Sequence, residues 1–130
     1  MIFRVKMSKK TGHVLENIRK TSGFPANTIS RIAIALSLKH NSAGKDEIIN
    51  AYESYDSEGI EIQRHVLLGE YEAVYRSLME KFCGSPLSDE EFFPIHVKYH
   101  IESGIDHLAD EYKLAGNNMD RLIKALINEV

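Results

Sequence analysis

Apolar and basic residues alternate through Phe3-Arg4-Val5-Lys6-Met7, the period of two expected of a strand with one buried face. Ser8 can cap a helix, and Thr11, Leu15, Ile18 and Ser22 then fall at helical spacing, which predicts a first helix over Lys9 to Ser22. Gly23 and Pro25 end it. Asn27 or Thr28 is expected to cap a second helix reaching His40, apolar on nearly every face through Ile29, Ile32, Ala33, Ile34, Ala35, Leu36 and Leu38. Such a helix belongs at the centre of a core or an oligomer. After the polar turn 41–44, the pattern predicts a weak helix over Asp46–Tyr52 and a brief strand or extended lead-in at 60–63. Leu68, Tyr71, Tyr75, Leu78 and Phe82 mark a further helix, stopped by Gly84-Ser85-Pro86. Ser88 and Glu91 form a capping box, and the helix it opens must kink or restart at Pro94. Ile101, Ile105, Leu108 and Tyr112 continue it to the break at 116–118. A last helix, capped by Asp120, carries Leu122, Ile123, Leu126, Ile127 and Val130. The expected fold is mainly α, one domain, opening with strand–helix–helix and continuing with additional helices.

Charge divides this picture in two. Residues 1–45 hold nine basic side chains and the single acid Glu16, a net +8; residues 46–130 hold seven basic and eighteen acidic side chains, a net −11. Such asymmetry points to a polyanionic partner, DNA or RNA, with mutual neutralisation inside the fold or an oligomer as the alternative. The sequence therefore divides into a basic part (1–45), an acidic helical part (46–115) and a C-terminal helix (116–130). No apolar run approaches the roughly 18 residues a membrane span needs. The first ten residues lack a secretory pattern, and Cys83 is the single cysteine. Both fit a reducing cytoplasm.

A five-residue strand cannot satisfy its own backbone, so it needs a partner strand. In ribbon-helix-helix proteins two copies supply the pair and lay outward side chains in the DNA major groove; Arg4 and Lys6 take that position here, with Phe3, Val5 and Met7 turned to the helices. Asn27 and Thr28 can offer backbone N–H groups to a phosphate at the start of the second helix. Arg19 and Lys20 suit the dipole at the end of the first helix. Lys9 and Lys10 stand at its wrong end, where a phosphate is the natural counter-anion. His96 and His100 have the i, i+4 spacing of some zinc ligands, but Val97 replaces the glutamate of a metalloprotease motif, so they and His107 read as surface or interface histidines. Nothing around Cys83 suggests an activated thiol, and no phosphate-cradling glycine loop or paired acidic motif occurs. No catalytic residue, metal site or cofactor is expected.

The run Met7-Ser8-Lys9-Lys10-Thr11 with Leu15 and Ile18, followed by Ser22-Gly23-Phe24-Pro25-Ala26-Asn27 and Arg31-Ile32-Ala33, resembles the opening of the DndE family. Leu67-Leu68-Gly69-Glu70-Tyr71 and His100-Ile101-Glu102-Ser103-Gly104-Ile105 are similar to its later segments, so the likeness spans about residues 6–108. The resemblance implies a compact, mainly α-helical subunit of the bacterial DNA phosphorothioation system, similar to ribbon-helix-helix folds and forming a homotetramer. It further implies binding of duplex DNA, notably nicked, through surface lysines. The family works beside a cysteine desulfurase, an ATP-pyrophosphatase-like subunit and an ATPase, in a setting allied to restriction-modification. On this reading Arg4, Lys6, Lys9, Lys10, Arg19, Lys20, Asn27 and Arg31 are the candidate DNA contacts. Glu16-Asn17 departs from relatives that have lysines there, and the tail 116–130 exceeds shorter relatives. The competing reading is a ribbon-helix-helix transcriptional regulator or antitoxin, and a third is a scaffold whose basic face meets an acidic protein.

Overall fold

The chain passes from strand to helix at Ser8. Strand β1 (Arg4–Lys6) leads into helix α1 (Lys9–Ser22), capped by the Ser8 hydroxyl, which accepts from the Thr11 backbone N–H at 3.2 Å. The computed structural model describes residues 1–128. After α1 come α2 (Ala26–His40), α3 (Lys45–Ser54), β2 (Glu61–Gln63), α4 (Arg64–Leu68), a 3-10 turn (Gly69–Tyr71) and α5 (Glu72–Cys83). A short α6 (Asp89–Glu91), a π-helical segment (Phe92–Val97), α7 (Lys98–Leu114) and α8 (Met119–Asn128) complete it. Val130, expected on the last apolar stripe, lies outside the described residues.

The first helix has the predicted limits, and the mainly helical class holds. Strand β1, however, finds its partner inside the chain: it runs antiparallel to β2, with Arg4 opposite Gln63, Val5 opposite Ile62 and Lys6 opposite Glu61. Backbone bonds from Met7 to Ile60 (2.9 Å), Gly59 to Met7 (2.8 Å) and Arg64 to Phe3 (2.8 Å) extend the ladder at both ends. The strand's need for a partner is thus met without a second copy. Phe3, expected to pack on the helices, is 59% exposed, whereas Met7 is fully buried.

Other differences have local causes. Helix α2 begins at Ala26 because Pro25, at φ −63° and ψ 151°, occupies the N-cap position, leaving Asn27 and Thr28 in the first turn. The apolar stripe of 68–82 does not lie on one helix. Gly69, at φ 54° and ψ −136°, breaks it, and the phase change turns Tyr71 and Leu78 outward while Met79 enters the core. The Ser88–Glu91 capping box forms as expected. Pro94, which has no amide hydrogen to give, falls in the widened π-helical turn rather than at a break. Asn118, not Asp120, caps α8, its Oδ1 accepting from Arg121 N at 3.1 Å.

Helices α2 and α7 make the most extensive contact among the described elements. They can approach so closely because Gly104 has no side chain: a Cβ there would lie 1.8 Å from the Ala33 carbonyl oxygen. Ile29, Ala33, Ile34 and Leu36 of α2 and Ile101, Ile105 and Leu108 of α7 are buried in the core around this crossing. Beside them the Ser37 hydroxyl bonds to His100 Nδ1 (2.8 Å) and to the Ser103 hydroxyl (2.7 Å), and Asn41 donates to both serines.

His96 and His100 are wholly buried, contrary to the expected surface or interface position. The π-helical segment shifts the phase of the helix and turns His96 inward with Phe92, Phe93 and Val97. Among the described residues neither ring nitrogen of His96 has a hydrogen-bond partner, nor does His100 Nε2. Burial pushes both imidazoles down, His100 to about 3 from an ordinary 6.5.

Two outcomes are expected. Gly104→Ala should lower the free energy of unfolding in urea by about 3 kcal/mol, since backbone must move to admit one methyl group. Acid should destabilise the protein through the histidines. Above pH 6.5 neither state takes the proton. Below it the unfolded chain binds protons that the folded chain refuses, so stability falls toward pH 3 by up to about 1.4 kcal/mol per pH unit for His100. Unfolding curves between pH 7 and 4 check this; an identical slope in His100→Gln would assign the acid sensitivity to other groups.

Candidate nucleic-acid interface

Helix α1 buries Thr11, Gly12, Leu15 and Ile18 and turns the opposite side to solvent. At about 100° per residue, Lys9, His13, Asn17 and Lys20 form the ridge of that exposed side, with Glu16 beside them. Lys10 and Arg19 lie on its two flanks. A shallow cleft on one side is lined by Lys9, His13, Glu16, Glu58 and Gly59, and another by His13, Asn17, Ala109, Lys113 and Asn117. Lys113 belongs to the acidic part of the chain, and sequence reasoning missed it.

The N-terminus of α1 is already supplied with anions. Glu102 of α7 accepts from the Ser8 backbone N–H (2.6 Å), the Ser8 hydroxyl (2.7 Å) and the Thr11 hydroxyl. Asp56, in the loop after α3, accepts from the Lys9 N–H at 2.9 Å and the Glu58 N–H at 3.0 Å, and these bonds hold its carboxyl below the usual range. Lys98 fixes that loop, donating to the Asp56 carbonyl (2.9 Å) and the Ser57 hydroxyl (3.0 Å). Lys10 in turn pairs with Asp106 of α7 at 2.9 Å. Lys10 therefore has a carboxylate of the same chain as its counter-anion, whereas at Lys9 the carboxylate contact is to the backbone N–H.

The remaining candidates separate by what they touch. Arg19 holds Glu16 in its guanidinium fork, with Nε to Oε2 at 2.9 Å. Arg31 is committed to the fold: Nε donates to the Leu67 carbonyl at 2.8 Å and a terminal nitrogen to the Val66 carbonyl at 2.7 Å, tying α2 to α4. Arg4 and Lys6 are exposed on the ribbon, Lys6 opposite Glu61. Asn27 and Thr28 are half-buried in the first turn of α2, where no side chain caps the helix and backbone N–H groups remain open to an anion. The structure thus gathers Lys9, Lys10, Arg19 and Lys20 on one helix and leaves Arg31 out.

Among the described residues no three His, Cys, Asp or Glu side chains are arranged to hold a metal ion. His107 contacts Asn41 at 3.1 Å and stacks near His40, and the half-buried Cys83 makes only weak contacts to the Glu80 and Ser85 carbonyls. No helix among the described residues is long and apolar enough to cross a membrane.

Solved structures share this architecture. The crystal structure of DndE from Escherichia coli B7A, involved in DNA phosphorothioation modification, matches with a TM-score of 0.62 at 18% identity, over 81% of this chain and 96% of that one. A DndE G21/24K mutant, involved in DNA phosphorothioation, matches with a TM-score of 0.62 and 18% identity over 83% and 98%. No curated protein matches by sequence. The sequence profile of the DNA sulphur modification protein DndE fits residues 4–116, from the first strand through the whole of α7. The chain belongs to the DndE family.

Proposed function

We propose that this protein is a non-catalytic DNA-binding subunit of a DNA phosphorothioate modification complex, engaging duplex or nicked DNA through the exposed side of α1. The observation that carries the reading is the set Lys9, Lys10 and Lys20, held on the solvent side of one helix in a chain of a DNA-modifying family. Lysines there act as point charges for backbone phosphates, and Lys113, Arg4, Lys6 and the open N-terminus of α2 extend the surface. Partner subunits with ATPase and ATP-pyrophosphatase-like chemistry perform the sulfur transfer, and this chain needs no cofactor of its own. The regulator or antitoxin reading rested largely on an intermolecular ribbon, and β2 now supplies that pairing within the chain.

Self-association belongs to the same proposal. Helix α2 leaves an apolar strip around Ala35, walled on one side by Val74 and Leu78 of α5 and on the other by Ile123, Leu126 and Ile127 of α8. Val74, Leu78 and Ile127 are each about half exposed or more, and an uncovered strip of this kind favours association.

Three measurements test these statements. Affinity for a duplex of arbitrary sequence should fall linearly on a log–log plot against salt. Replacing Lys9, Lys10 and Lys20 by alanine should flatten that slope by up to about 0.9 for each phosphate no longer neutralised, with unfolding unchanged. Weaker binding at an unchanged slope would count against phosphate contact, and a preference of roughly 10³-fold for one operator would favour the regulator. Light scattering at micromolar concentration should give a multiple of the 14.8 kDa chain mass, and a clean monomer would contradict self-association. Supercoiled plasmid should stay intact with magnesium or manganese present; nicking that vanishes in His13→Ala would overturn the non-catalytic assignment.

A further inference from the structure

Two carboxylates, Glu16 of α1 and Asp106 of α7, are paired with cations of the proposed DNA-binding surface. Arg19 receives Glu16 in the side-on fork geometry that a phosphate also fits, with contacts from both Nε and a terminal nitrogen. Lys10 contacts both oxygens of Asp106, at 2.9 and 3.0 Å. All four side chains are open to solvent, with 68% and 60% of Lys10 and Asp106 exposed and 47% and 44% of Arg19 and Glu16. A phosphate can therefore reach either cation. Ion pairs this exposed add little to stability.

Glu16 is also placed where it costs DNA binding most. It is the only acid among the first 45 residues, and helical spacing sets it beside Lys9 and Lys20 on the exposed side. Hydrogen bonding from Arg19, and then attraction by Arg19 and Lys20, holds its carboxyl below the ordinary range, so it stays ionised at neutral pH.

We infer that Glu16 and Asp106 are built-in phosphate mimics that compete with DNA for Arg19 and Lys10 and so set a deliberately low affinity. Binding exchanges each intramolecular carboxylate for a phosphate, and the displaced carboxylate stays nearby as a repulsive charge. The inference rests on the proposed DNA-binding surface and adds its regulation. It also places Arg19 on that surface as a cation released by exchange rather than one standing free.

The test is binding of a fluorescent 25-base-pair duplex, intact and nicked, to the full chain at several salt concentrations. E16Q and D106N should each tighten binding about two- to fivefold at low salt, with a larger gain in the double variant. The salt dependence should steepen, because salt no longer weakens a competing carboxylate. E90Q, which removes the same charge from exposed Glu90 on α6, controls for net charge and should change little. If the wild type binds and alanine at Lys9, Lys10 and Lys20 weakens it, but E16Q and D106N behave like E90Q, the mimicry is overturned and the DNA-binding surface stands. If neither the wild type nor the double variant binds either duplex, the DNA-binding reading itself falls. Thermal unfolding of the acid variants should match wild type, since both pairs are exposed.

Discussion

Where α7 crosses α2, the hydrogen in place of a side chain at Gly104 admits the Ala33 carbonyl to a distance that any Cβ would forbid. The depth of that crossing fixes much else. It brings His100 and Ser103 against Ser37, so a polar seam closes alongside the apolar one. Two residues before Gly104, on another side of the same helix, Glu102 reaches the start of α1 and takes three donors from Ser8 and Thr11. One turn earlier still, Lys98 ties down the loop whose Asp56 caps Lys9. One helix thereby sets both the core spacing and the position of the lysine-bearing helix. A second close approach completes the frame: a Cβ on Gly59 would lie 2.1 Å from the Ser8 carbonyl oxygen, so only glycine lets the lead-in to β2 meet the β1–α1 corner.

The division of charge along the sequence looks different once folded. Part of the positive first third is neutralised by acids from the rest of the chain, Lys10 by Asp106 and Lys45 by Glu91. Part is consumed structurally, as Arg31 is by two carbonyl oxygens. A net of +8 over 45 residues therefore overstates the charge available to a polyanion. What remains is a narrow ridge on α1 and the outer side of the ribbon. The two explanations of the asymmetry, a polyanionic partner and mutual neutralisation, thus divide the basic residues between them, the second visible in the fold and the first proposed for the ridge.

Legibility in the sequence followed the range of the interaction involved. Ser8, Gly23 and Pro25 act within a few residues of themselves, and they place both ends of α1 correctly. The Ser88–Glu91 box is equally local. The pairing of β1 with residues more than fifty positions away has no local signature, so an intermolecular partner was as reasonable from the pattern alone. Gly69 and the π-helical segment each change helical phase: a periodicity count carried across Gly69 misplaces Tyr71 and Leu78, and the incomplete zinc motif carries no sign of the phase shift that turns His96 inward. The exposed cations of α1 were readable because amphipathic spacing separates them from Leu15 and Ile18. Arg31 was not, because its partners Val66 and Leu67 come from α4. Lys113 was hidden by the acidic segment that carries it.

The kind of recognition available to such a surface is constrained by its residues. Lysine on an exposed helix offers a flexible point charge, which positions a protein on phosphates and reads no base. The one side chain on α1 with a planar fork, Arg19, is engaged by Glu16. Arg4 and Lys6 are the ribbon's outward cations, and the ribbon has two strands from a single chain, with Glu61 and Gln63 across from them. On the proposed reading, then, this protein contributes hold rather than choice: contact with the backbone of whatever duplex is presented, tempered by its own carboxylates. On the same proposal, selection of a sequence for sulfur insertion falls to another subunit of the proposed complex.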